Sequence, residues 1–333
     1  MKISVLGAGG WGTTLAILLH NNGHEVTLWE YKRSYAKTLK RSRENKNLLP
    51  GIKIPKEINI THSLSESCEK KHMIVLAVPS QFIRSVLREM KHFEFRDTTF
   101  VSVSKGIEKD TLLTVSQIVK DELKNISHSQ IGVISGPSHA EEVARKIPTA
   151  VVAASRDYTT AKQIQTAFMN SYFRVYSSTD LLGVEYGGAL KNVIAIGAGI
   201  IDGAKFGDNT KAAIMTRGIA EISRLGIGLG AKPETFSGLS GMGDLIVTCM
   251  SRHSRNRYVG EQIGRGKKLT EVLKKMTMVA EGVETCRSVH QLSIKHKIET
   301  PIANAVYKIL FEDRDATKVT YELMTRDMKA EDE

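Results

Sequence analysis

Cysteine is scarce in this 333-residue chain, and its three copies, Cys68, Cys249 and Cys286, stand far apart. That spacing excludes a disulfide framework and a cysteine zinc site. It fits a reducing compartment, so a cytoplasmic location is expected. The ten histidines are scattered without metal-ligand spacing, and no metal site is expected. Aromatic residues make up only 6% and no nucleic-acid-binding motif is present, so no nucleic-acid partner is expected. No apolar run reaches the length of a membrane span, which argues against membrane insertion. The N-terminus enters an apolar strand pattern at once, so no signal peptide is expected.

Acidic residues are also short: 36 Asp and Glu face 47 Lys and Arg, a net charge of +11. The basic residues between Lys37 and Lys46 and between Arg265 and Lys275 are interleaved with polar residues and read as solvated helix faces. A basic balance of this kind suits anionic small molecules. Hydrophobic content of 41% and charged content of 25% describe an ordinary globular protein, and the length suggests two domains.

What the chain does have, from its third residue, is a strand, a glycine turn, a helix and a second strand. Ile3–Leu6 leads into Gly7-Ala8-Gly9-Gly10-Trp11-Gly12, then helical Thr13–Asn22, Gly23, and Glu25–Trp29 closed by Glu30. This is the dinucleotide-binding fingerprint in its context. Gly7 permits the turn out of the strand, Gly9 lets the backbone approach a pyrophosphate, and Gly12 lets the helix pack on the strand. The helix N-terminus offers N–H groups to the phosphates.

Strand and helix patterns continue to alternate. The periodicity predicts strands at 58–61, 73–78, 99–103, 130–135, 150–154 and 173–176, with helices at 34–45, 81–90, 111–123, 140–145 and 160–168. A mostly parallel sheet covered on both faces follows. Three polar turns fall at strand ends, where such sheets bind ligands: Val78-Pro79-Ser80, Ser104-Lys105-Gly106 and Gly136-Pro137-Ser138-His139. Near Ser177–Asp180 the texture changes to helical periods: 181–201, 210–225, 257–264, 269–276, 286–296 and 303–310. The fold class is therefore α/β, with a Rossmann-like dinucleotide-binding domain (1–179) followed by an all-α substrate domain (180–333). Lys329 to Glu333 read as a polar tail.

The sharpest chemical signal is Lys191, in an apolar helix that should be buried. Its side chain leans back over Gly188 and Gly187, a surface with no competing side chains. It either faces a ligand there or snorkels to water while the glycines serve packing. Asp244, flanked by Gly243 and an apolar run, is a candidate acid or a helix N-cap. Ser254 can cap a helix whose first turn, with Arg255 and Asn256, forms a phosphate or carboxylate cradle; the plainer reading is a capped surface helix.

These motifs closely resemble those of the bacterial-type NAD(P)-dependent glycerol-3-phosphate dehydrogenases, from Met1 to about residue 325. The likeness rests on the first glycine motif, Ser-Lys-Gly-Ile-Glu (104–108), Ser-Gly-Pro-Ser-His-Ala-Glu-Glu (135–142) and Gly-Gly-Ala-Leu-Lys-Asn-Val-Ile-Ala-Ile-Gly-Ala-Gly (187–199). It continues through Thr-Arg-Gly-Ile-Ala-Glu (216–221), Gly-Asp-Leu-Ile-Val-Thr-Cys (243–249), His-Ser-Arg-Asn (253–256) and Val-Ala-Glu-Gly (279–282). The resemblance implies reversible conversion of sn-glycerol 3-phosphate to dihydroxyacetone phosphate, feeding glycerophospholipid synthesis, in a cytoplasmic and often dimeric enzyme. It implies that Lys191 exchanges the proton at the substrate's C2 oxygen. Substrate contacts are implied for Lys105, Gly136, Ser138, Asp244, Ser254, Arg255 and Asn256. Dinucleotide contacts are implied for Gly10, Trp11, Tyr31, Lys105, Ala140, Arg255, Val279 and Glu281, beside the Gly7, Gly9 and Gly12 read from the turn itself. Gly10 departs from the family, which often has serine there, so a side-chain contact to the pyrophosphate is missing.

Burial and the neighbouring Lys105 should lower the Lys191 pKa while Asp244 opposes them; sequence does not say which wins. Two other readings share parts of this pattern. Another hydroxyacid-dehydrogenase-type reductase commonly spaces its residues Lys-x-x-Asn, whereas Lys191 and Asn192 are adjacent. A non-catalytic dinucleotide sensor needs neither a buried lysine nor a second cradle. For the cofactor, Glu30 disfavours a 2′-phosphate and Lys32 and Arg33 favour one; either NAD or NADP is accommodated, with a modest expected preference for NAD.

Overall fold

The structure, a computed structural model, describes residues 1–328, 330 and 331. Lys329, Asp332 and Glu333 of the expected tail lie outside the described residues. The strands are β1 (Lys2–Leu6), β2 (Glu25–Trp29), β3 (Asn59–Thr61), β4 (Met73–Leu76), β5 (Thr99–Ser102), β6 (Ile131–Ser135), β7 (Thr149–Ser155) and β8 (Phe173–Ser178). They form one sheet in the order β3-β2-β1-β4-β5-β6-β7-β8. The first six pair in parallel in the 3-2-1-4-5-6 order of a dinucleotide-binding fold. β7 returns antiparallel to β6 because only a short helical segment joins them, and β8 runs parallel to β7.

Helices cover both faces: α1 (Gly10–Asn21), α2 (Arg33–Ser42), α3 (Leu64–Cys68), α4 (Ser80–Met90), α5 (Val115–Glu122), α6 (Ala140–Ala144) and α7 (Tyr158–Phe168). Strand alternation sorts the two layers. Met73 and Val75 pack with Leu15 and Ile164 on one face, while Ile74 and Leu76 pack with Ile83 and Ile118 on the other. The predicted helix over 111–123 is shorter than its pattern. Asp110 and Leu112 adopt left-handed backbone, and the helix starts only after Thr114, whose side chain closes a capping box with Gln117.

The second half is helical: α8 (Leu181–Ala204), α9 (Asp208–Gly228), α10 (Pro233–Ser237), α11 (Asp244–Met250), α12 (Arg255–Gly264), α13 (Leu269–Lys274), α14 (Glu281–His296), α15 (Pro301–Phe311) and α16 (Ala316–Met324). A π-helical turn, Leu239–Gly243, precedes α11. α16 escaped the sequence pattern; Asp315 starts it by accepting the Lys318 N–H at 2.9 Å. α8 corrects one expectation, since it is long and apolar enough to cross a membrane by length and composition. Every residue of that apolar stretch is inside the fold, so here it is a core helix. The α9, α12, α14 and α15 helices pack around it through Ile222, Val259, Val289 and Val306. Ile107, from the turn after β5, is fully buried in this helical core and joins the two halves.

Glycines set the α8–α12 contact. A methyl group at Gly260 would lie 1.9 Å from the Ile196 carbonyl oxygen, and one at Gly199 would lie 2.0 Å from that of Arg257. The two backbones therefore touch, which fixes the start of α12 against α8. Gly260→Ala should cost about 1–3 kcal/mol of stability through overpacking. Urea unfolding of the variant checks this, and an unchanged midpoint would mean that the helices are not in contact.

Candidate active site

One cavity of about 760 Å³ runs from the glycine turn after β1 to α8 and the first turn of α12. Every sequence-predicted site residue lines it except Gly136, which sits behind the wall.

The glycine turn forms the first end. Gly7 has φ 110°, and a side chain there would meet the Ala77 carbonyl oxygen at 2.7 Å. A methyl group at Gly12 would lie 1.9 Å from the Gly7 carbonyl oxygen, so only glycine lets α1 start this close to β1. Beside Gly9 there is open space, and no side chain caps α1. Its first-turn N–H groups are thus left for an anion, and the turn fits a dinucleotide pyrophosphate. Glu30 also lines this end; its carboxylate accepts the Lys32 N–H at 3.0 Å, and burial raises its pKa. Tyr31 stands exposed at the rim.

At the other end two ammonium groups share one carboxylate. Lys191 Nζ donates to Asp244 Oδ1 at 2.9 Å and to Thr248 Oγ1 at 2.6 Å. Lys105 Nζ donates to Asp244 Oδ2 at 2.8 Å and to the Gly136 carbonyl oxygen at 2.9 Å, with Ser138 Oγ at 3.4 Å. Gly136 therefore holds Lys105 from behind. Lys191 and Asp244 are both buried. Burial lowers the Lys191 pKa to about 8, with Asp244 opposing and the Lys105 charge assisting. Desolvation wins the contest that sequence left open. For Asp244, burial opposes ionisation, but the two ammonium groups outweigh it and hold the carboxyl below its usual range.

The bare surface expected above Gly187 and Gly188 is filled. A methyl at Gly187 would lie 2.7 Å from the Ser240 carbonyl oxygen, and one at Gly188 would lie 2.5 Å from Ser135 Oγ. These glycines admit the π-turn and β6, and Lys191 reaches Asp244 past them. Thr248, which sequence reasoning missed, lies one turn after Asp244 on α11. Its signal was the i, i+4 spacing, and its hydroxyl also donates to the Asp244 carbonyl oxygen at 2.6 Å.

The second missed group is Asn192. Its Nδ2 donates to the Lys105 carbonyl oxygen at 2.9 Å, and its Oδ1 accepts from Asn256 Nδ2 at 2.9 Å. Asn256 Oδ1 in turn accepts the Gly282 N–H at 3.0 Å. Glu281 accepts the Ser80 N–H at 2.8 Å and the Lys105 N–H at 3.3 Å, tying α14 to two strand-end turns. From α4, Gln81 Nε2 donates to the Ile107 carbonyl oxygen at 2.8 Å and Arg84 pairs with Glu108 at 2.8 Å, so the Lys105 turn is clamped on every side. Ser254 caps α12, accepting the Arg257 N–H at 3.2 Å. Arg255 is exposed and has no side-chain partner among the described residues, and Val279 lies at the rim. Ala140 follows His139 on the wall, and its carbonyl oxygen accepts Thr14 Oγ1 at 3.2 Å.

Comparison with known proteins gives a consistent picture. Family models described as the N-terminus and the C-terminus of NAD-dependent glycerol-3-phosphate dehydrogenase match residues 2–161 and 180–321. A glycerol-3-phosphate dehydrogenase [NAD(P)+] of Chlorobium phaeobacteroides (strain BS1) is 52% identical over 331 residues, 99% of each chain. One from Fusobacterium nucleatum is 50% identical, covering 99% of this chain and 98% of the relative. The crystal structure of glycerol-3-phosphate dehydrogenase from Coxiella burnetii superimposes with a TM-score of 0.93 at 38% identity, covering 98% of this chain and 99% of that one.

The electrostatics of the shared carboxylate can be measured without any turnover. The Lys191 ε-carbon signal, assigned through Lys191→Arg, should titrate with a midpoint of about 8. Asp244→Asn removes the charge that favours the ammonium form and should move the midpoint lower. A midpoint at the ordinary lysine value, about 10.4, would show that burial does not govern this group.

Proposed function

The chain belongs to the NAD-dependent glycerol-3-phosphate dehydrogenase family, and on that premise we propose how its cavity works. It is an oxidoreductase that interconverts sn-glycerol 3-phosphate and dihydroxyacetone phosphate with NAD or NADP. The single observation that carries our site assignment is the buried Lys191 ammonium, held by Asp244 beside Lys105.

When bound, the nicotinamide supplies the hydride for ketone reduction. The chain's own groups do the rest. Lys191 gives its proton to the C2 oxygen as negative charge develops there, and takes it back in the oxidative direction. Lys105, paired with Asp244, stabilises that oxygen electrostatically. Arg255, Ser254 and the first-turn N–H groups of α12 hold the substrate phosphate, which fixes the reacting carbon. Lys105, Gly136, Ser138, Asp244 and Asn256 complete the substrate end. Gly7, Gly9, Gly10, Trp11, Gly12, Tyr31, Ala140, Val279 and Glu281, with Lys105 and Arg255, form the dinucleotide end.

We place the domain boundary between residues 179 and 180, since β8 ends at Ser178 and α8 begins at Leu181. The family resemblance supports a role in glycerophospholipid synthesis, a cytoplasmic location and a homodimer. The three cysteines, all buried and free, suit the reducing cytoplasm.

Absorbance of reduced nicotinamide, followed with and without dihydroxyacetone phosphate, tests the activity. Lys191→Ala should lower turnover about 10²–10⁴-fold while cofactor still binds. In wild type, ketone reduction needs the ammonium and should fall as pH rises through about 8. Oxidation of glycerol 3-phosphate needs the free amine and should rise over the same range. Near-wild-type turnover in folded Lys191→Ala would remove the lysine from the mechanism.

The cofactor preference rests on Glu30. Its carboxylate lines the cavity beside the glycine turn, where a 2′-phosphate would meet its charge. Both cofactors should work, with NADH modestly favoured over NADPH, and Glu30→Ser should shift the ratio of kcat/KM values toward NADPH. An unchanged ratio would place Glu30 outside the ribose pocket; a strong wild-type preference for NADPH would show that Lys32 and Arg33 dominate.

A further inference from the structure

Family resemblance implies a dinucleotide contact for Glu281, yet both of its carboxylate oxygens are engaged within the protein. Oε1 accepts the Ser80 N–H at 2.8 Å, and Oε2 accepts the Lys105 N–H at 3.3 Å. Those two N–H groups stand in the turns after β4 and β5, whereas Glu281 is the first residue of α14 in the helical half. Ser80 opens α4, whose N-cap is Pro79 and makes no side-chain cap. The carboxylate supplies the acceptor that this helix start lacks.

The grip on Lys105 continues on its other side. Its carbonyl oxygen accepts Asn192 Nδ2 at 2.9 Å, and Asn192 Oδ1 accepts Asn256 Nδ2 at 2.9 Å. Asn256 Oδ1 accepts the N–H of Gly282, the residue after Glu281, at 3.0 Å. These bonds close a ring that runs from Lys105 through α8, α12 and α14 and back to Lys105. Asn192 and Glu281 thus hold the two sides of the residue whose ammonium pairs with Asp244. Lys191, next to Asn192, is faced by Asp244 and Cys249 from α11, by Lys105 from the turn after β5 and by His139 from the turn after β6. Of these, Asp244 favours its ammonium form and Lys105 disfavours it.

We propose that Glu281 is a positioning residue for the reaction, holding the Lys105 turn so that the Lys105 ammonium stays on Asp244 beside Lys191. The assignment rests on the activity proposed above and deepens it. A loosened turn lets the Lys105 ammonium leave Asp244, and Lys191 then has that carboxylate to itself. Its own ammonium persists to higher pH, because the opposing charge has gone and the favouring one remains. The oxygen that gains charge in ketone reduction also loses its second ammonium. The sign of the change separates this role from a direct effect of the Glu281 charge. Removing a negative charge without moving Lys105 would make the Lys191 ammonium less stable, not more.

Glu281→Gln keeps the bulk of the side chain but offers one carbonyl oxygen in place of two carboxylate oxygens, so one of the two N–H groups loses its partner. In the free enzyme, the Lys191 ε-carbon titration should move up by about half a pH unit or more, part of the roughly 1–3 units that an adjacent charge can supply. Lys105→Met should move it up as well, and Glu281→Gln added to Lys105→Met should move it no further. A defect that merely admits water to the cleft would raise the midpoint equally with and without Lys105. In turnover, kcat for ketone reduction by Glu281→Gln should fall several-fold, and its high-pH decline should follow the Lys191 midpoint upward. An unchanged or lowered midpoint in Glu281→Gln would overturn the proposal, with weaker NADH binding assigning the carboxylate to the cofactor instead. An equal rise in both backgrounds would overturn it too. If wild type failed to turn over dihydroxyacetone phosphate, the activity itself would be wrong. The titrations need no turnover and still decide whether Glu281 acts through Lys105.

Discussion

One buried carboxylate shared by two ammonium groups is the interaction on which the site depends. Asp244 pairs with Lys191 through one oxygen and with Lys105 through the other. A single buried lysine–aspartate pair would be a poor acid–base device, because donating the proton would leave an unpaired carboxylate in a dry site. With two lysines, Asp244 keeps a partner whichever protonation state Lys191 adopts. The local charge then alternates between one net positive and neutral as the proton leaves and returns. The positive state faces an incoming phosphate and a developing oxyanion, and the neutral state follows proton delivery. The same geometry sets the working pKa: burial pulls Lys191 down, and Asp244 stops the fall near 8.

Such a balance needs its groups held in place, and the fold supplies constraint from both domains. Lys105 is fixed through its own backbone, with Glu281 accepting its N–H and Asn192 donating to its carbonyl oxygen. Ile107 anchors the same turn in the helical core. Lys191 is carried by the stretch of α8 from Gly183 to Ile201 that is buried throughout, and the touching glycines of α8 and α12 fix Asn256 and Arg255 relative to it. The backbone contact between these helices sets the distance across the cleft directly, with no side chain free to change rotamer. The substrate end is therefore built on packed elements, while exposed Tyr31, Arg255 and Val279 lie at the margins.

The mostly parallel sheet and the glycine turn were legible because their signals are local, whereas the strand order is set by tertiary pairing. β-rich runs alternate with helical ones, and Gly7, Gly9 and Gly12 each answer a steric demand of the next few residues. The long helices of the second half were legible for the same reason. Lys191 stood out as a charge in an apolar helix. Its partners were less visible, because Asp244 and Thr248 lie on another helix and Asn192 works through Asn256 and Gly282, contacts made only by tertiary packing. The π-turn before α11 lacks a periodic pattern of its own. α16 is short and buries little beyond Val319, so its apolar signal is weak. The roles of Gly187 and Gly188 depended on which elements approached them, and local sequence contains no record of Ser240 or Ser135 doing so.

Gly10 shows how packing changes the meaning of a sequence departure. Read along the chain, glycine in place of serine is only a missing contact to a pyrophosphate. In the folded protein, a side chain at Gly10 would meet the Leu48 carbonyl oxygen at 2.7 Å. The segment carrying Leu48 is tied to the nucleotide turn by Asn45, whose Nδ2 donates to the Ala8 carbonyl oxygen at 2.8 Å and whose Oδ1 accepts from the Tyr35 hydroxyl at 2.6 Å. Leu48 thus takes the space that a serine side chain would need, and the loop closes on the turn where the helix N-terminus is exposed. Glycine at 10 and the inward loop form one arrangement. The loop can come this close because residue 10 has no side chain, and the missing hydroxyl is accompanied by a backbone wall beside the phosphate site.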